Sequence, residues 1–187
     1  MSLRGFFGIA SIKRFVERKL KLKVNDAKSQ VVPVGQCQFL GFTFRGSKLA
    51  WHEKVVQQFK FRVRQLTGRS RGISMEHKVR ELTQYLRGWI NYFGIAQGYQ
   101  KCIDLDGWIR RRLRMSFWKN WRRVRTKVRN LMCMGVSELL AVTCGSSNKS
   151  YWRNAKTEGI HIALNNKFFR KMGLISLRDR WIEIHYG

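Results

Sequence analysis

Acidic residues are scarce in this chain. Eleven Asp and Glu stand against 38 Lys and Arg in 187 residues, a formal net charge of +27. A compact chain with that imbalance repels itself, so a polyanion is the partner its composition favours. Of the aspartates Asp26, Asp104, Asp106 and Asp179, only Asp104 and Asp106 are close in sequence. Two-metal phosphoryl chemistry needs several carboxylates placed to bridge the ions, and no such set can be assembled from these spacings. Because the pair precedes a long helical pattern, capping of a helix N-terminus is the stronger reading for it.

Other absences narrow the class further. Cys37, Cys102, Cys133 and Cys144 form no C-x-x-C pair, and His52, His77, His161 and His185 are scattered. Spacing therefore supports neither a zinc site nor a Cys/His catalytic pair, and free buried thiols are the expectation. No G-x-x-x-x-G-K-[ST] phosphate loop and no H-E-x-x-H occurs. No apolar run approaches the roughly 18 residues that span a bilayer, so nucleic acid leads over a membrane as the partner. Met1 to Phe15 carries arginines and no acid, a faint organellar-leader character, but Phe6 to Ala10 is too short for a secretory core. The expected location is intracellular, in the cytoplasm, with an organelle as the alternative. An enzyme complete within this chain is not expected.

What is present is a core and a cationic surface. Hydrophobic residues make up 44% of the chain and aromatics 13%, too much for a disordered basic tail. The length suits one domain, or one with a small appendage. The organising stretch runs from Asp104 to Leu131. Ten of the residues from Arg110 to Arg129 are Lys or Arg, and no acid occurs between Gly107 and Ser137. Through it run Ile109, Leu113, Phe117, Trp121, Val124, Val128 and Leu131 at steps of three or four, the stripe of one amphipathic helix. Arg111, Arg114, Arg122, Arg125 and Arg129 fall on the neighbouring face.

Around this stretch the pattern is mixed. A short helix is expected from Ser11 to Lys21, and strands at Gln30 to Val34, where Pro33 implies an edge, and at Gln38 to Phe44. Leu49 to Trp51 returns as a hairpin partner. From His52 onward helices dominate, with stripes at Val56, Phe59, Val63 and Leu66, and at Val79, Leu82, Leu86, Trp89 and Phe93. Ser74 caps the second of these and Gly94 stops it. Asp104 or Asp106 caps the basic helix, and Gly135 ends it or its continuation. Ser137 to Val142 is a short helix, Tyr151 to Leu164 a helix with a weak point at Gly159, and Ser176 opens a final one. The fold class is α+β, predominantly α.

The expected binding residues are Arg110, Arg111, Arg114, Lys119, Arg122, Arg125 and Arg129 for phosphates, with Lys60, Arg62 and Arg64 as a second patch. Trp118 lies off the apolar stripe among arginines. It is a candidate for stacking on an unpaired base, with packing under a neighbouring loop the competing reading. Charge reversal at Arg111 and Arg114 is expected to weaken binding while sparing the fold.

Several stretches together carry a family resemblance. Leu20-Lys-Leu-Lys-Val-Asn25 with Lys28-Ser29 is similar to the segment following a reverse-transcriptase active site. Phe39-Leu40-Gly41-Phe42 looks like the primer-grip strand. Leu86-Arg-Gly-Trp-Ile-Asn-Tyr-Phe93, Leu105-Asp-Gly-Trp-Ile-Arg-Arg-Arg-Leu-Arg114, Trp118-Lys119, Trp152-Arg153 and Gly173-Leu-Ile-Ser-Leu177 match a maturase domain in order. The chain thus resembles the C-terminal part of group II intron reverse transcriptase-maturases. The resemblance implies that residues 1–50 are an incomplete palm remnant with a β-hairpin, and that 51–187 are the helical maturase (X, or thumb) domain. It implies a group II intron RNA as partner, whose folded form the domain stabilises, and a template-primer duplex in the polymerase setting. The family's Y-A-D-D motif is absent, as is an H-N-H extension after Trp181. The alternatives implied are the thumb half of a split polymerase completed by a fingers-palm polypeptide in trans, or a gene fragment. No cofactor belongs to this chain; Mg²⁺ belongs to the intron RNA or to the missing palm.

Overall fold

Phe59, Trp89 and Phe93 lie on inward helical stripes, and Trp51 meets them from a short sheet. Trp51 and Trp89 are 4.9 Å apart between ring centroids, Phe59 and Trp89 4.4 Å, and Trp89 and Phe93 5.0 Å. This aromatic cluster is the junction between sheet and helices. It is seen in a computed structural model that describes residues 3–26, 29 and 32–187, the first seven of these by their backbone.

The first helix, α1 (Leu3–Arg18), begins and ends earlier than the one expected from Ser11 to Lys21; a three-strand sheet of β1 (Gln38–Phe39), β2 (Phe42–Arg45) and β3 (Lys48–Trp51) follows, and after it helices dominate as expected. The sheet is antiparallel in the order β1-β2-β3, with Phe39 opposite Phe42 and Arg45 opposite Lys48. The F-L-G-F stretch is therefore not one strand. Leu40 (φ 50) and Gly41 (φ 86) make a two-residue turn between β1 and β2, the positive φ at both positions matching the twist of the strands it joins. Gly41 is required there twice over, because a Cβ would also stand 2.8 Å from the Val55 side chain. Of the expected strand from Gln30 to Val34, Gln30 and Val31 lie outside the described residues, as do Lys28, Met1 and Ser2, and Val34–Gln36 form a 3-10 turn.

The helical part comprises α2 (Glu53–Leu66), α3 (Met75–Phe93), α4 (Tyr99–Asn120), α5 (Val124–Cys133) and α6 (Glu138–Gly145). Four shorter or terminal helices follow, α7 (Tyr151–Asn154), α8 (Glu158–Ala163), α9 (Asn166–Lys171) and α10 (Leu177–Tyr186). The expected stripes of α2 and α3 are buried except for Phe93, which is half-buried, with Phe59, Val63, Leu82 and Leu86 completely so; Ile90, outside the expected stripe, is buried as well. Ser74 caps α3 by accepting from the His77 amide, and Ser176 caps α10 through the Asp179 amide. The helix expected over Tyr151 to Leu164 is divided at Ala155–Thr157. Gly159 lies inside α8, where a Cβ would meet Cys144 Sγ at 3.0 Å.

Two corrections concern the basic stretch. It is two helices, not one: α4 stops at Asn120, Trp121 takes ψ 66, and α5 restarts at Val124. Neither Gly nor Pro marks the break. Trp121 turns its buried ring onto Phe117 and Trp118, 6.0 Å from each, and this frees α5 to pack on α6 and α8. Second, neither aspartate caps α4, which opens at Tyr99 after Gly98. Asp104 accepts a hydrogen bond from Gln100. Asp106 sits within α4, only 5% exposed, and reaches a different helix. Its carboxylate accepts from Ser176 Oγ (2.8 Å) and from the backbone amides of Leu177 (2.9 Å) and Arg178 (3.2 Å). A buried carboxylate on one helix thereby caps the N-terminus of another, the end at which negative charge is favoured.

Candidate nucleic-acid interface

The basic residues divide by what their side chains already hold. Arg114 is 5% exposed, donates from Nε to the Leu164 carbonyl at 2.9 Å and lies 3.4 Å from His161 Nε2. Burial, with Arg110 nearby, pushes its pKa down to about 10, which leaves it cationic at neutral pH. Arg111 donates twice to the Trp152 carbonyl, at 2.9 and 3.2 Å, and lies 3.8 Å over the Trp152 ring. Both side chains tie α4 to the segment that follows it, so the expectation that reversing them would spare the fold is withdrawn. Trp118 is 1% exposed, packed on Trp121 and covered by Lys127 Nζ at 4.7 Å from its ring. Of its two sequence readings, the structure realises packing, and no face remains for a base.

The other candidates are placed outward. Arg122, Arg125 and Arg129 are exposed on or just before α5, Arg110 is half-buried, and no ion pair holds any of them among the described residues. Lys119 is half-buried with its Nζ 5.4 Å over Tyr151. In the second patch, Lys60 is half-buried, Arg62 donates to Gln65 at 2.9 Å, and Arg64 is exposed. Phe39 (68%) and Leu40 (63%) are exposed at the turn, whereas Phe42 is buried, 5.3 Å from Phe93 between centroids. Tyr92 donates to the Leu40 carbonyl at 3.4 Å, so this turn is fastened to α3.

One cleft gathers what the sequence kept apart. A cavity of about 530 Å³ is lined by Arg64 from α2, Gly68 and Arg69 from the following loop, Trp108, Arg112 and Met115 from α4, and Trp152 from α7. No carboxylate lines it. Arg64 and Arg112 lie over the Trp108 ring, at 5.7 and 5.6 Å, and Arg69 lies 5.3 Å over Tyr151. Arg112 is fixed by Nε donating to Thr67 Oγ1 (2.6 Å) and by the Arg64 carbonyl (3.3 Å). These groups stand at the C-terminal end of α2, where a cation is favoured. Its pKa is lowered first by burial and then by Arg64 and Arg69. A guanidinium depressed by two cationic neighbours, with no acid in the lining, makes a site that an anion relieves. Half-buried indole faces beside them offer stacking area.

Sequence reasoning missed Arg69, Trp108, Arg112 and Trp152 as site residues. Trp108 and Arg112 are four apart and share a face of α4, a signal that was readable. Their meeting with Arg64 depends on how α2 and α4 pack, which no spacing reveals.

Residues 56–134 match the family described as the Group II intron, maturase-specific domain. Over those residues, this chain is similar to a group II intron maturase. The matched span runs from within α2 to just past α5 and carries Arg64, Arg69, Trp108, Arg112 and Met115 of the cleft; Trp152 lies beyond it. No curated protein matches the chain. Among the described residues, no group of three or more His, Cys, Asp or Glu side chains is placed to hold a metal ion, and no helix is long and apolar enough to cross a membrane.

Proposed function

We propose that this chain is an RNA-binding maturase domain that assists splicing of a group II intron by holding the intron RNA in its folded form. The observation that carries this is the acid-free arginine cleft lying almost wholly within the maturase-like span. The RNA performs the transesterifications, and the protein acts as a ligand of the competent fold. A ligand that binds folded RNA more tightly than unfolded RNA shifts that equilibrium by the difference in binding free energy. The residues assigned to phosphate contact are Arg64, Arg69 and Arg112 in the cleft, with Arg110, Arg122, Arg125 and Arg129 beyond it. Arg111, Arg114 and Lys119 support that surface from below.

Splicing of the cognate intron at low Mg²⁺, with and without the chain, tests the reading, and the chain is expected to restore the reaction. The affinity for intron RNA is expected to fall with a log–log salt slope of about five to seven, for about eight phosphate contacts to irregular RNA. A flat salt response together with no rescue of splicing would sink the proposal.

A second reading rests on a separate observation. Ile12, Phe15, Leu20, Leu22, Phe39 and Leu40 are all more than half exposed in one part of the chain. Such apolar exposure favours a covering partner, as in a thumb completed by a fingers-palm polypeptide supplied in trans. Primer extension only in the presence of that polypeptide would support this second reading.

A further inference from the structure

The outward face of α3 carries a second groove of about 530 Å³ that shares no residue with the arginine cleft. Its floor is Gly88. A Cβ built there meets nothing within 4 Å, and the backbone needs no positive φ. A glycine inside a helix destabilises it by about 1 kcal/mol relative to alanine. Among the described residues, none makes use of the missing side chain at this position. The open helix backbone is thus available for close approach by something outside the chain.

Around that floor the groups are of one kind. Arg80 and Arg87 line the groove, are exposed, and enter no ion pair among the described residues. They stand seven residues apart, two helical turns, or about 10 Å along the axis. Gln84 lies between them on the same face and Asn91 one turn beyond. Asn91 uses its carbonyl oxygen to accept from Arg180. Thr83 donates to the Gly173 carbonyl and joins α3 to the turn before α10, so the opposite wall is fixed. The single acid in the lining, Glu76, stands at the N-terminal end of the groove.

We infer that this groove is a second RNA site, one that grips a sugar-phosphate backbone against bare helix. Arg80 and Arg87 bind phosphates along one side of the groove, N-terminal to the bare backbone at Gly88, and the amides of Gln84 and Asn91 contact ribose hydroxyls. Two cations spaced along a helix, with one neutral amide between them, another beyond and no side chain at Gly88, suit a strand that alternates charged and hydroxyl-bearing units. Because the 2′-hydroxyl both donates and accepts, amide contacts at that position favour RNA over DNA. The inference rests on the RNA-binding reading above and extends it to a separate face.

The test uses the full chain with a short structured RNA hairpin and the DNA hairpin of the same sequence. Gly88→Gln fills the groove with a good helix former, so thermal stability is expected to hold or rise while RNA affinity falls about tenfold. Arg80→Ala with Arg87→Ala is expected to lower the salt slope by about 1.4, the share of two phosphate contacts to irregular RNA. Both changes should narrow the preference for RNA over DNA. Should Gly88→Gln and the double variant bind with wild-type affinity and slope, while Arg64→Glu with Arg69→Glu binds weakly, the groove is not a site and the cleft reading survives. Absence of salt-sensitive binding in every protein, wild type included, overturns both.

Discussion

Asp106→Ala lowers the unfolding free energy by about 3 kcal/mol and loosens α10 first. The carboxylate satisfies one hydroxyl and two backbone amides at the start of that helix. Each buried donor left without a partner costs about 1–3 kcal/mol, and loss of an N-cap alone costs about 1 kcal/mol. Relief of a buried charge offsets part of this sum. Asp106→Asn keeps one acceptor oxygen and the volume, so about half the loss is expected. The Asp106 pKa is raised, burial outweighing the three hydrogen bonds and the nearby Arg110. An acid with a raised folded-state pKa holds its proton longer in the native state. Its contribution is therefore fully present below the ordinary aspartate value of about 3.9 and lost as pH rises through the raised value. The asparagine variant should lack that component, so its deficit relative to wild type is largest at acid pH and shrinks as pH rises through this interval. Denaturant unfolding measured across the interval, with hydrogen exchange at the Leu177 and Arg178 amides, checks both parts. A stability within about 0.5 kcal/mol of wild type for the alanine variant would mean that Ser176 alone caps α10.

The same residue shows what the sequence could and could not disclose. The stripes of α2 and α3, the Ser74 and Ser176 caps and the hairpin partner at Leu49 to Trp51 were legible because each depends on residues within a few positions of one another. That an aspartate at the head of the basic stretch caps a helix was legible too, although its position pointed to α4 itself. Which helix it caps was not, because Ser176 is 70 residues away. The division of the basic stretch was hidden for a related reason. Its apolar spacing runs unbroken through Trp121, and the break is made by the packing of that ring on Phe117 and Trp118. In the candidate site, Arg111 and Arg114 were expected on an outward face, and the structure turns both inward. Periodicity places Arg111 and Arg114 beside an apolar stripe and treats that flank as solvent. The segment from Trp152 to Leu164 covers it, and the carbonyls at both ends of that segment receive the two guanidiniums.

Arg64→Glu with Arg69→Glu is expected to weaken intron RNA binding about a hundredfold, with folding almost unchanged. Both side chains are exposed, and neither makes an ion pair among the described residues. Their folded-state contacts are cation–π contacts at 5.7 and 5.3 Å, about 0.5–1 kcal/mol each at exposed sites. Against RNA, each reversal removes a phosphate contact and places a carboxylate beside the Arg112 guanidinium, which then turns inward. About 1.4 kcal/mol at each position is a factor of ten apiece, and the salt slope should fall by about 1.4. Arg114→Glu gives the opposite division. It sets a carboxylate against the Leu164 carbonyl in a buried position, and a buried charge stripped of its partner costs about 3–5 kcal/mol. That variant should lose RNA binding only in proportion to the fraction unfolded, and recover it where stabilising conditions restore the fold. Fluorescence anisotropy with intron RNA, beside circular dichroism of the same samples, separates the two cases. Wild-type affinity in a folded Arg64→Glu, Arg69→Glu protein would move the RNA interface off the cleft and onto the exposed arginines of α5.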